Sequence, residues 1–489
     1  MLSLLPASKW NFTTAAHLLN RAGFGGTPHE IERLAKLGPA GAVASLVDYE
    51  QTPDPTPDPA WAKPDPERMQ KLAALRQAKA EERQQLFMEE RRLQWQRMSE
   101  LRGWWLERMA KGPRPLQEKL TLFWHGHFAT NVQKVRDAYL MWLQNDTFRR
   151  HASGNWTQML ISVTKDPAML IWLDQAQSRR QHPNENYARE VMELFALGEG
   201  HYSEKDVTEA ARAFTGLGLN RVLQTCEYRP RQHDDGIKSV LGRTGNLAWS
   251  DVLEQIVAQR QAARFISAKL WRFFASENPS EALIAELAAR LRQAGNDFKP
   301  LLRAIFLSEE FYDRAVVRAQ VKSPVQWLVG SVRMLECELP PPMIASRMLA
   351  NLGQDLFAPP NVKGWDGGTT WITTNTLLAR YNQAEMLVTG ERPMPPAADQ
   401  RPFRAMADRF NRPDRKGTPV DVTKLLSSAE RAGDATVIPA LEKRLLQSSL
   451  KPKQEQTLRA YLDSRTAPND TDIRETIRLL MSTPEYQLT

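Results

Sequence analysis

Apolar residues recur along most of this chain at the three-to-four spacing of amphipathic helices, and glycine and proline punctuate them. The segment FTTAAHLLNRAGFG puts Ala16, Leu18 and Leu19 on one stripe, which Gly23, Gly25 and Gly26 end. Thr27 then caps TPHEIERLAKLG, with Glu30 three residues on as a capping box. Residues 12–48 therefore predict two short helices joined by a glycine turn. QTPDPTPDPAWAKPDPE (51–67) predicts an extended, polyproline-like linker. A charged, alanine-rich stretch without proline predicts one long helix over 68–111, and Pro115 opens the next helix.

The helical period returns from 136 to 220, with Ser203 as a cap and Asp206 in the first turn. LQTCEYRPRQHDDGIKSVLG (223–242) breaks it: its alternation predicts an inserted β-hairpin turning at Asp235-Gly236. Ser250 is expected to cap another helix. APPNVKGWDGGTTWITTN (358–375) reads as a long functional loop. LLRAIFLSEEFY and TIRLLMSTPEYQ share one ending, in which a serine caps a turn and an aromatic docks on the core. The expected fold is mainly α: a large multi-helix, bundle-like body with a small inserted β-hairpin and long functional loops. Its segments are an N-terminal helical part (1–50), the Pro/Asp linker (51–67), a main domain (68–390), a Pro/Arg-rich linker (391–420) and C-terminal helices (421–489) that pack back on the main body.

Composition narrows this picture little. The 489 residues are 42% hydrophobic and 25% charged, which excludes wholesale disorder. Two cysteines exclude a disulfide scaffold and a Cys-rich zinc module. The net charge of +8 is interleaved with acidic residues, as in AKAEERQQLFMEERRLQWQR, so nucleic acid is not the expected partner. No apolar run is long enough for a membrane span, and no signal peptide is read at MLSLLPASKWNF. That start favours a cytoplasmic location, or a periplasmic or exported one if a leader was trimmed. The unusual number is 14 tryptophans. Trp104, Trp105, Trp142, Trp172, Trp271 and Trp327 fall in helical stretches and read as core, while Trp124, Trp365 and Trp371 lie beside His, Lys and Gly.

Nucleophile-elbow, phosphate-loop, dinucleotide and H-E-x-x-H signatures are missing. Polar residues inside apolar context carry the candidate chemistry. His125 and His127 flank Gly126 and converge on a ligand only if the helix ends there, since positions two apart on a helix point about 200° apart. Asn186, Glu190, Glu193 and Leu197 share a helical face, where two carboxylates need pairing or a metal. Arg189, Arg212 and Arg221 are the available ion-pair partners. Arg231, His233 and Asp234 precede the Asp235-Gly236 turn. Lys363, Trp365 and Trp371 lie in the glycine-rich loop, a mixture suited to a polar or sugar-like ligand.

HLLNRAGFGGTPHEIERLAKLG, KLTLFWHGHFAT, PNENYAREVMELFALGEGHYSEKDVTEAARAFTG, RQHDDGIKSVLGRTGN and FAPPNVKGWDGG occur in this order. Together they resemble the bacterial family called domain of unknown function 1800, over roughly residues 12–385. The resemblance implies a mostly helical protein, export of many relatives by a twin-arginine leader, and a neighbouring sulfatase- or phosphatase-like partner. It implies no established reaction.

Three functions are expected in turn. The first is a metal-dependent enzyme, a hydrolase or oxidoreductase. Its catalytic groups would be His127, Glu190, His233 and Asp234, and a divalent metal would be held among His125, His127, Glu190, Glu193 and His233. Asn186, Arg189, Arg231, Lys363, Trp365 and Trp371 would bind the ligand. The second is a non-catalytic protein holding a glycan, an acidic polymer or the phosphatase-like partner. The third is a metal-free enzyme using Glu190 and His127 as acid and base. Convergence of His127, Glu190 and His233 within about 5 Å would mark a shared site.

Overall fold

The computed structural model describes residues 2–391, 417–463 and 468–489. Asn11 opens α1 (Phe12–Ala22) by accepting from the Thr13 and Thr14 N–H groups. Thr27 and Glu30 form the expected reciprocal cap on α2 (Pro28–Lys36). A third helix follows, α3 (Gly38–Val47), where the sequence suggested two in all. Gly38 takes a left-handed φ of +69° ahead of Pro39, so the chain turns between α2 and α3 instead of continuing.

The linker at 51–67 is irregular, and it is strapped to the body. Arg114 donates to Thr52 O, Trp104 Nε1 donates to Pro57 O, and Arg108 pairs with Asp54. The single helix expected over 68–111 is two, α4 (Arg68–Gln77) and α5 (Ala80–Lys111), broken at the extended residues Ala78 and Lys79. Neither proline nor glycine marks that break. Its cause is tertiary: Arg68 docks on Arg221 O and Asp137, while Gln94 of α5 accepts from the Ala138 N–H. A straight helix could not reach both.

Pro115 stands in the first turn of α6 (Pro115–His127), which packs on α7 (Ala138–Arg150). Helices Trp156–Thr164 and Pro167–Trp172 follow, then α8 (Glu185–Glu190) and, after a wide-wound segment, α9 (Glu204–Phe214), capped by Ser203 and Asp206 as expected. In place of one hairpin there are two antiparallel pairs, β1 (Leu217–Asn220) with β2 (Thr225–Tyr228), and β3 (Lys238–Val240) with β4 (Arg243–Gly245). Asp235-Gly236 lies in the connection between them, not at a hairpin turn. Asp234 instead accepts the Gly236 N–H, an Asx-type contact that stabilises a loop without strands. Ser250 is not a cap: Ala248 precedes the helix Trp249–Ala258, and Asp251 accepts its N–H.

The remaining helices include α10 (Arg260–Phe274), α11 (Thr374–Thr389) and α12 (Asp470–Met481), and α12 packs on α11. Two apolar clusters make the core. One surrounds Trp124, Phe128, Trp156 and Phe298, and the other joins Trp105 and Trp327 to Ile473 and Leu480 of the C-terminal helices. The shared ending holds with one change. Ser308 caps the turn before buried Phe311, whereas Thr483, not Ser482, does so before buried Tyr486. Most of the linker expected at 391–420 lies outside the described residues. Among those described, no helix is long and apolar enough to cross a membrane.

Candidate functional site

α6 remains helical through His127, so His125 and His127 diverge. His125 Nε2 accepts from the Phe357 N–H at 2.9 Å, beside the rings of Trp105 and Trp365. Burial, with Arg102 adding to it, lowers its pKa to about 3, so it is a neutral acceptor. His127 points the other way. Its Nε2 lies 3.0 Å from Phe195 O and donates to it, which leaves Nδ1 to accept from Lys269 Nζ at 3.2 Å. Burial, then Lys269, hold it well below the usual imidazole value.

After α8 the helix widens to a π-helix over Val191–Ala196, a winding that is mostly short and frequent at functional sites, and that recurs over Glu442–Leu446. Widening and termination leave carbonyls without helical partners. Side chains from two neighbouring helices bond three of them: Lys269 donates to Leu194 O, His127 to Phe195 O and Gln261 to Leu197 O. Lys269 was not visible as a candidate in the sequence, although Phe265, Lys269 and Phe273 share one stripe of α10 at four-residue steps. Its ammonium sits 4.7 Å from the Phe265 ring centre, and burial lowers its pKa to about 8. The change of winding also breaks the face assumed for Asn186, Glu190, Glu193 and Leu197. Leu197 is buried, Asn186 is exposed, and the two glutamates are half-buried.

Glu190 is held above the usual carboxylate range by burial first and by Glu193 second, with Arg189 and Lys363 pulling the other way. Glu193 accepts from the Tyr202 hydroxyl at 2.9 Å. Arg189 faces outward into a surface pair with Glu204 and Glu185. The glycine-rich loop closes over the end of α6. Gly364, at φ +87°, has no room for a Cβ because Gly126 O occupies that space, and Trp365 lies against Gly126 and His125. This seating places Lys363 where its charge acts on Glu190. Gly364→Ala should therefore lower stability by at least about 1–2 kcal/mol through the forced left-handed conformation alone. A denaturant midpoint equal to wild type would show that the loop re-seats freely.

The structure thus joins Glu190, Glu193, Lys363 and Trp365 in one region and leaves the other candidates elsewhere. His233 is buried near Thr215, with Nδ1 donating to Thr215 O at 2.9 Å. Asp234 receives a two-point contact from Arg212, at 2.8 and 3.1 Å, which is the main cause of its lowered pKa. These two stand at the C-terminal part of α9, whereas Glu193 and Arg189 meet residues at its start. Arg212 lies eight helical positions after Glu204, about 12 Å along the axis. Arg231 is exposed on the turn Pro230–Gln232. Trp371 is buried and pins the loop, and Trp124 is core, so of the three singled-out tryptophans only Trp365 is part-exposed. Of the expected metal set, Glu190 and Glu193 are neighbours, whereas His125, His127 and His233 are each bonded to a backbone group. Among the described residues no three His, Cys, Asp or Glu side chains gather into a group able to hold a metal ion.

Neither a curated protein nor a solved structure matches the chain. A family model described as a protein of unknown function (DUF1800) matches residues 17–488, nearly the whole length. The π-helix, the histidine-bearing helix end and the Lys363–Trp365 loop are thus assembled from motifs spread along a single family unit, and the chain belongs to the DUF1800 family.

Proposed function

We propose that this protein is an acid–base enzyme acting on a hydroxyl-rich, carbohydrate-like ligand, with Glu190 as general acid and Glu193 as its partner base. The observation that carries this reading is Glu190, a half-buried carboxyl kept in its acid form to higher pH by burial and by a second carboxyl. A pair of neighbouring carboxyls is the usual means of protonating a leaving oxygen while activating a water molecule. In this reading Glu190 gives its proton to the departing oxygen and Glu193, oriented by Tyr202, takes one from water. Trp365 offers a face for a sugar ring, and Lys363 offers a charge for an acidic substituent.

The acid and the base in this reading are both side chains of the chain itself. A sulfatase- or phosphatase-like partner, expected from the family, would suit it by stripping charged groups from the same polymer. A periplasmic location would suit it too.

The test is release of reducing ends from a panel of neutral and acidic polysaccharides. Glu190→Gln should lower the rate by about 10²–10⁴-fold, the usual worth of a general acid. The same substitution should not harm the fold. A carboxyl with a raised folded pKa contributes stability below its unfolded pKa and loses it as pH rises through the folded value, so the neutral amide should match or exceed wild-type Tm at neutral pH. Activity that survives in Glu190→Gln, or a panel with no turnover, sinks the proposal.

A further inference from the structure

From Ala80 to Arg97, α5 carries no buried residue, and neither does α4. The two arms stand off the body across a groove of about 1310 Å³, lined by Leu72, Leu75, Leu86 and Phe87 of the arms and Leu140 and Ile171 of the body. Phe87, Met88 and Trp95 are 57%, 61% and 59% exposed. A helix of this kind draws its stability mainly from packing an apolar face, and here Phe87, Met88 and Trp95 stay largely exposed.

The charges on α5 indicate what covers it. We propose that the α4–α5 arms of two copies of this chain pack together as a four-helix bundle, with the two α5 helices antiparallel. When Leu86 of one copy stands level with Phe87 of the other, Glu81 stands level with Arg92, and at about 100° per residue these two share one face of α5 with Met88 and Trp95. No like charges are level anywhere from 80 to 93 in this register. Two-fold symmetry makes every pairing twice, so a sequence whose charges invert about its own midpoint is complementary to itself. Glu81 and Arg92 make no ion pair within their own chain among the described residues, which leaves them for the second copy. Met88 and Trp95, on the same face, fill the bundle seam.

The experiment is light-scattering mass across a concentration series of the full chain. It compares wild type with Arg92→Glu and with the double variant Glu81→Arg, Arg92→Glu. A dimer is expected for wild type. Arg92→Glu should weaken it about tenfold or more, because both symmetry-related pairs become repulsive. The double variant should restore it. Far-ultraviolet circular dichroism checks that these surface substitutions leave the fold intact. A monomer at every concentration overturns the proposal and assigns the face to a different protein. A dimer that charge reversal leaves unchanged, or that the double variant fails to restore, overturns it equally.

Discussion

Glu118→Leu should cost about 3–5 kcal/mol of stability, the usual penalty for removing one member of a buried ion network. Glu118 is 1% exposed on α6. Its carboxylate accepts from Arg149 Nε at 2.7 Å, Arg149 Nη2 at 3.0 Å, Arg108 Nε at 3.0 Å and Trp105 Nε1 at 2.8 Å. Burial alone would raise its pKa, but Arg149 and then Arg108 bring the balance below the ordinary value. A carboxyl depressed in this way contributes stability above its unfolded pKa and loses it as pH falls through the folded value. Wild type should therefore weaken below about pH 4.5 by a component that Glu118→Leu lacks. Denaturant midpoints at neutral and acid pH measure both effects. A loss under about 1 kcal/mol at neutral pH would place the pair among surface-like contacts and refute the network's importance.

The next residue should behave in the opposite sense: Lys119→Met is expected to stabilise the protein by on the order of 2–4 kcal/mol at pH 7. Lys119 is 4% exposed, and its ammonium lies 5.0 and 5.7 Å from the ring centres of Phe24 and Phe273, with no carboxylate partner among the described residues. Burial, followed by repulsion from Arg21, lowers its pKa to about 7. Between that value and the unfolded value near 10.4, the unfolded chain binds one proton more than the folded chain. This group's cost therefore shrinks as pH rises across that window. Methionine keeps the length and loses the charge. The advantage of Lys119→Met over wild type should be largest near pH 7 and should fall steadily towards pH 10. A difference independent of pH would show that packing, not charge, sets it. Lys269 and Lys322 shift in the same direction but are common to both proteins, so they cancel in the comparison.

Glu118 and Lys119 show why polar residues in an apolar helix cannot be priced from sequence. Both interrupt the same stretch, LQEKLTLFW, and both are buried. One meets two arginines, from 10 residues before it and 31 residues after it, and the other meets only aromatic faces. Desolvation is the same kind of cost in each case, and partners brought by other helices decide whether it is offset.

The candidate site was legible to a similar extent. Glu190, Glu193, Lys363 and Trp365 stand out as polar or aromatic residues in apolar or glycine-rich context, and the structure draws them together. His125 and His127 stand out for the same reason, yet hydrogen bonds to the backbone at Phe357 and Phe195 occupy them. A histidine that bonds a backbone group and one that holds a ligand look alike in sequence, because the difference is the partner's position. Lys269 went unseen because its partner is a carbonyl freed by a π-helix, and no residue type announces that winding.

What the sequence determined by itself is whatever depends on neighbours within about one helical turn. The Thr27–Glu30 and Ser203–Asp206 caps, the helix start at Pro115 and the mainly helical class all rest on spacing and on short side-chain-to-backbone bonds. Only the tertiary structure decided where α4 breaks from α5, that the hairpin is two, that Asp234 belongs to Arg212, and that the π-helix carbonyls are bonded by His127, Gln261 and Lys269. Apart from the two hairpins, whose strand pairings are local, each of these depends on a donor and an acceptor far apart along the chain. Their meeting is fixed by how whole helices pack, a property that no local pattern carries.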